Sequence, residues 1–162
     1  MSLQFFNKWL LLTCFLGFIY SCSNDDSFAE VENPVIDNLT RGAGVFNFNY
    51  NQSTLNLTLK VFYYIPENKT ATTPILFVFH GAGRNARDYR DAVQAKADQF
   101  GVIILAPEFS IQNFPSGDQY NLGNVFEDGD NPSPSTLNPE NEWTFSIIEP
   151  LFDFVKTQIN NT

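Results

Sequence analysis

Pro74-Ile75-Leu76-Phe77-Val78-Phe79-His80-Gly81-Ala82-Gly83 carries five consecutive apolar residues straight into a glycine-flanked bend. A continuous apolar run of strand length, with no polar alternation, implies a strand buried on both faces, as in a parallel sheet covered by helices. Asn85 after the bend is a candidate N-cap. From Ala86 the spacing turns helical, with Tyr89, Val93, Ala97 and Phe100 three to four residues apart, and Gly101 closes the helix as a C-cap. Val102-Ile103-Ile104-Leu105-Ala106 is a second fully apolar strand, stopped by Pro107. Strand, helix and strand joined by short links predict a right-handed βαβ unit with its strands parallel.

Upstream, apolar and polar residues alternate from Gly44 to Tyr50 and again through Leu55, Leu57, Leu59 and Val61. Asn51-Gln52-Ser53 lies between them, so this part reads as a β-hairpin, with Phe62 to Ile65 extending its second strand. Downstream, Ser110 to Glu140 is long and polar, and a loop of that length is more often functional than accidental. Glu142 to Gln158 reads as a last helix burying Ile147, Leu151, Phe154 and Val155, which Pro150 should kink or split.

The formal net charge is −9, from 18 acidic and 9 basic side chains, which argues against a nucleic-acid partner because phosphate binding needs clustered Lys and Arg. Both cysteines, Cys14 and Cys22, fall within the first 22 residues, so no disulfide can staple the domain. Stability must come from packing, for which 17 Phe supply material. The single histidine, His80, limits the chemistry: any mechanism needing a second histidine cannot be completed by these residues.

Lys8 precedes an apolar run from Trp9 to Tyr20 that is short for a membrane span and fits a signal peptide. Ile19-Tyr20-Ser21-Cys22 resembles the bacterial lipobox, which implies a lipoprotein signal over 1–22 and a lipid on Cys22. Residues 23–41 then read as a flexible acidic tether. Membrane attachment is expected only through Cys22, at the outer membrane or cell surface. Asn-x-Ser/Thr occurs at Asn38, Asn51, Asn56, Asn68 and Asn160. Behind a lipobox, chance in an Asn- and Thr-rich chain accounts for these sites.

Phe77-Val78-Phe79-His80-Gly81-Ala82-Gly83, followed by a helix and then by Val102-Ile103-Ile104-Leu105-Ala106-Pro107-Glu108, resembles the α/β-hydrolases. The closest likeness is to esterases related to polyhydroxybutyrate depolymerase and feruloyl esterase, over about Leu55 to Val155. The resemblance implies an α/β class: a partial α/β-hydrolase fold over 42–162, with an N-terminal hairpin, a parallel βαβ unit and a further helix, lacking the C-terminal half. It implies that His80-Gly81-Ala82-Gly83 forms the oxyanion turn, with Ala82 or Gly83 donating a main-chain N–H to the negative charge of a tetrahedral intermediate. Glycines there would allow unusual backbone angles and close approach of substrate. His80 would hold the turn by hydrogen bonds rather than act as base, since the family's catalytic histidine comes near its C-terminus. Serine, acid and histidine are expected beyond Thr162, because no Gly-x-Ser-x-Gly elbow occurs here. The chain therefore reads as the N-terminal part of a serine esterase acting on small or polymeric esters without a cofactor. The alternative is a non-catalytic surface lipoprotein on a decayed hydrolase scaffold. In the family's sheet the Ile75–Phe79 strand lies between the Val102–Ala106 strand and a later one, so here it should stand at an open edge.

Glu108, at a strand's carboxyl end where α/β sites gather, is a candidate site-lining residue. Trp143, Phe145, Phe109, Phe114 and Tyr120 are candidates for a substrate cleft, though such residues are more often core. Arg84 and Arg87 beside the turn could meet an acidic substrate group, a solvated helix face being the default. Glu127-Asp128-Gly129-Asp130-Asn131 lacks the spacing of a calcium loop and reads as an acidic turn, so no metal site is expected.

Overall fold

The computed structural model describes residues 39–52 and 55–160. The expected signal peptide, Cys22 and residues 23–38 of the tether lie outside the described residues, as does Ser53 of the expected turn.

The alternating segments form an antiparallel hairpin of β1 (Gly42–Gln52) and β2 (Leu55–Ile65), longer at both ends than the pattern alone predicts: Asn51 and Gln52, expected in the turn, still pair with Asn56 and Leu55. β3 (Ile75–Phe77), α1 (Ala86–Phe100) and β4 (Ile103–Glu108) make the expected crossover, with Ile75, Leu76 and Phe77 opposite Ile103, Ile104 and Leu105 in parallel register. β4 also pairs antiparallel with β2, which gives a mixed four-stranded sheet in the order β1-β2-β4-β3.

Period-two alternation sorts the side chains to two faces. Leu59, Val61 and Tyr63 of β2, with Ile103 and Leu105 of β4, enter the main core beside Leu151 and Val155 of α2 (Ile148–Gln158). On the other face Tyr64 donates to Asp98 of α1 at 2.8 Å, and Arg90 of α1 lies over Phe62 at 6.0 Å. The sheet is thus sandwiched between the two helices. Leu151 and Val155 are fully buried, each worth about 1.5–3 kcal/mol of transfer free energy.

Four expectations need correction. The run Ile75–Phe79 is not buried on both faces: only Ile75–Phe77 is strand, β4 is its one partner among the described residues, and Leu76 is 50% and Phe79, beyond the strand, 40% exposed. The open edge was itself expected. Second, Pro107 does not stop β4 but lies within it, opposite Val61. It stands two residues beyond the last β3 pairing, where no ladder bond on that side asks for its missing N–H.

Third, α1 buries Ala86, Arg90 and Ala97, whereas Tyr89 and Phe100 face outward. Arg90 can be buried because its guanidinium donates to Tyr63 O at 2.8 Å and Gly44 O at 3.2 Å while Nε reaches Asp91 at 2.5 Å. Fourth, the last helix begins at Ile148, after short 3-10 turns at Glu140–Glu142 and Thr144–Ile147. Pro150 then falls in the first turn of α2, where an amide N–H has no intrahelical acceptor to lose.

Gly101 ends α1 as expected, left-handed at φ 64°. Asn85 holds the N-cap position without capping through its side chain, which turns instead to Asp88 at 2.9 Å.

Candidate active site

β3 and β4 run parallel, so their carboxyl ends emerge side by side, and there the chain places the bend His80–Gly83 next to Phe109. Val78 N–H still donates to Leu105 O at 2.8 Å; past it the backbone leaves the ladder and turns toward α1. Gly81 O accepts the Arg84 N–H at 3.1 Å and closes the turn.

His80 is buried, with 4% of its surface exposed. Nε2 accepts the N–H of Phe109 at 2.9 Å, and a main-chain N–H can only donate. Nε2 therefore carries no proton, and the proton sits on Nδ1, which donates to Gly81 O at 2.9 Å. Burial, with Arg84 adding to it, pushes the imidazole below its ordinary pKa against the opposing pull of the Gly81 carbonyl and Glu108. Both ring nitrogens are spent on the main chain. This histidine has no lone pair left for a nucleophile's proton.

Arg84 follows the turn in a left-handed conformation at φ 53°. Its guanidinium donates to Phe109 O, to Phe114 O at 2.9 Å and to Ser116 O at 3.4 Å. It lies 4.5 Å from the centre of the Tyr120 ring. Tyr120 donates its hydroxyl to His80 O, and its ring packs 4.7 Å from the imidazole. Phe109 stacks on Tyr120 at 5.2 Å and meets Phe145 edge-on at 5.7 Å, so an aromatic floor underlies the bend.

Above that floor Ala82 and Gly83 are exposed, and their N–H groups have no hydrogen-bond partner among the described residues. Of the two expected reasons for the glycines, the conformational one needs revision. Neither Gly81 nor Gly83 has a positive φ; the left-handed position is Arg84. Space adds a modest constraint, met by a small shift of a neighbouring side chain. A Cβ on Gly81 would come within 3.1 Å of the Tyr89 hydroxyl, and one on Gly83 within 3.3 Å of Asn85 Oδ1.

The remaining candidates divide. Glu108 stands at the end of β4 immediately before Phe109, and its carboxylate faces Lys60 of β2 across 3.9 Å. Arg87 is exposed and pairs with Asp91 one helical turn on, at 3.8 Å. Phe109, Phe114 and Tyr120 are buried beneath the bend. Trp143 and Phe145 do line a cleft, of about 430 Å³, together with Gln52, Glu140, Glu149 and Pro150. Phe145 also touches Phe79 edge-on at 5.6 Å, which links that cleft to the start of the bend. Asp128 accepts the Asp130 N–H at 3.2 Å in the acidic turn. Among the described residues no three His, Cys, Asp or Glu side chains gather as metal ligands, and no helix is long and apolar enough to cross a membrane.

Sequence reasoning singled out both residues in other roles: Arg84, expected on a solvated helix face or against an acidic substrate group, precedes α1 and is spent on three main-chain carbonyls, and Tyr120, a cleft candidate, gives its hydroxyl to His80 O.

No family model and no curated protein matches the chain. Solved structures do. Poly(aspartic acid) hydrolase-1 from Sphingomonas sp. KT-1 is 43% identical at a TM-score of 0.63, over 76% of this chain and 44% of its own. A poly(3-hydroxybutyrate) depolymerase from Bordetella parapertussis is 25% identical at a TM-score of 0.60, over 75% of this chain and 40% of its own. The chain thus spans under half the length of either protein. On its sheet order, its parallel crossover and these likenesses, the chain carries a partial α/β-hydrolase fold and is similar to the esterase and polyhydroxybutyrate depolymerase-like members of that superfamily.

Proposed function

We propose that this chain is the oxyanion-binding part of a serine hydrolase that cleaves carboxylic esters, small or polymeric. One observation supports the reading above the others: Ala82 and Gly83 are exposed at the carboxyl ends of the parallel strands, and their N–H groups have no partner among the described residues. Such donors, fixed before the reaction, stabilise the oxygen that becomes negative as a carbonyl turns tetrahedral. His80 serves this arrangement as a neutral strut and not as the general base. The nucleophile, the acid and the base histidine belong, on this reading, to residues following Thr162, and the 162 residues alone turn over no ester.

The similarity to a poly(aspartic acid) hydrolase and a poly(3-hydroxybutyrate) depolymerase favours an extended polymer or its oligomers as substrate. The Ile19-Tyr20-Ser21-Cys22 string supports export, with a lipid on Cys22 holding the enzyme at the outer membrane or cell surface. The acidic stretch after Cys22 would then be the tether.

The test is to express the protein from its whole reading frame beside the 162-residue chain and treat both with a fluorophosphonate. Labelling of a serine in the former and none in the latter is expected. A whole protein that is folded yet refuses the reagent and hydrolyses no ester would establish the decayed-scaffold alternative. Separately, cells fed radiolabelled palmitate should label the protein, and Cys22→Ser should abolish that label.

A further inference from the structure

Arg84 adopts a backbone conformation uncommon for a residue with a side chain, directly after the two uncommitted amides. Its surroundings account for the choice. From that left-handed position the guanidinium reaches the segment that follows β4, where it meets the carbonyls of Phe109, Phe114 and Ser116. The same segment returns through Tyr120, which lies under the guanidinium and donates to His80 O. Phe109, held by Arg84 through its carbonyl, gives its N–H to His80.

The result is a closed ring of contacts: His80 to Phe109, Phe109 to Arg84, Arg84 to Tyr120, and Tyr120 back to His80. Gly81, Ala82 and Gly83 are the three residues spanned between two members of that ring. Both ends of the bend are anchored by side chains reaching residues 25 to 40 positions away, while the bend's own amides have no acceptor among the described residues.

We propose that Arg84 is a positioning residue for the amides of Ala82 and Gly83, and that residues 109–116 are the strap through which it acts. This deepens the hydrolase reading above and rests on it. Arg84 touches no reacting atom in this account. It holds the bend in the geometry that a tetrahedral oxygen would need, so its loss should weaken binding of the transition state more than binding of the substrate. Lysine cannot replace it, because one ammonium on a flexible stem does not span three carbonyls as a planar fork does.

The experiment uses the protein from its whole reading frame with a p-nitrophenyl ester as substrate and a trifluoromethyl ketone as tetrahedral-adduct inhibitor. Arg84→Asn removes the guanidinium while tolerating the left-handed backbone, and Arg84→Lys keeps the charge. Both should lower kcat roughly 10- to 100-fold, as small misplacements at a reacting centre do. KM should stay within about threefold, and ketone affinity should fall by the same factor as kcat. An active wild type beside an Arg84→Asn protein with unchanged kcat overturns this inference alone. So does a loss of kcat matched by an equal loss of folded protein in circular dichroism, which would mark a general folding role. A well-folded wild type that refuses fluorophosphonate overturns the hydrolase reading itself, and this inference with it.

Discussion

The main-chain N–H of Phe109 donates to Nε2 of His80 across 2.9 Å, and that single bond assigns the imidazole its tautomer, its charge state and its role. It joins the end of β4 to the bend that follows β3, so the two parallel strands are tied where they emerge from the sheet.

Replacing His80 should therefore show first as lost stability. In His80→Phe the ring keeps its bulk, but the buried Phe109 N–H loses its acceptor. An orphaned buried donor costs about 1–3 kcal/mol. Urea denaturation should register that loss as a lower midpoint at an unchanged m-value.

Burial of the same imidazole makes stability depend on pH. Burial holds His80 below its ordinary value of 6.5 in the folded chain, so between that value and the lower folded one the unfolded state binds more protons. The stabilisation is complete above about pH 6.5 and is lost as the pH falls toward the folded pKa. The chain has one histidine, so His80→Phe should remove this component outright. Paired urea titrations from pH 7.5 to 5 check it: parallel curves for the two proteins would contradict the assignment.

Gly44 and Tyr63 stand opposite each other in the hairpin, and a Cβ on Gly44 would come within 2.3 Å of the tyrosine ring and its hydroxyl. Gly44→Ala should cost about 1–3 kcal/mol through overpacking. Tyr63→Leu in the same chain should recover part of it, because the offending atoms are gone. A thermal melt of the single and double variants measures both.

β3 has no partner on its outer edge among the described residues, and Leu76 there is half exposed. An apolar strand edge without a partner promotes association. The 162-residue chain should scatter light as more than a monomer and bind a hydrophobic dye, and Leu76→Lys should reduce both signals. A monomer with no dye binding before the substitution would contradict this.

Much of the fold was legible because its signals are local. The alternation from Val45 to Tyr50 and from Leu55 to Val61 names a hairpin, and Gly101 marks the end of α1 within the span of one turn. The start of α2 was harder to read. Trp143 to Ile147 carries apolar residues at helical spacing, yet Thr144 N–H is drawn to Gly123 O at 2.9 Å and the segment is left in 3-10 turns. Likewise the buried stripe of α1 runs through Arg90 rather than Tyr89, since two main-chain carbonyls of the hairpin satisfy the guanidinium. No hydrophobicity pattern anticipates that exchange.

From its residues alone this protein is committed to a hairpin and a parallel strand–helix–strand crossover with a glycine-flanked bend between them, because periodicity and turn chemistry act over a few neighbours. Which bend amides stay free, which nitrogen of His80 bears the proton and why Arg84 can turn left-handed were decided only by tertiary structure. Those outcomes rest on bonds between residues 25 to 40 positions apart, and such bonds form once the sheet has brought the ends of β3 and β4 together.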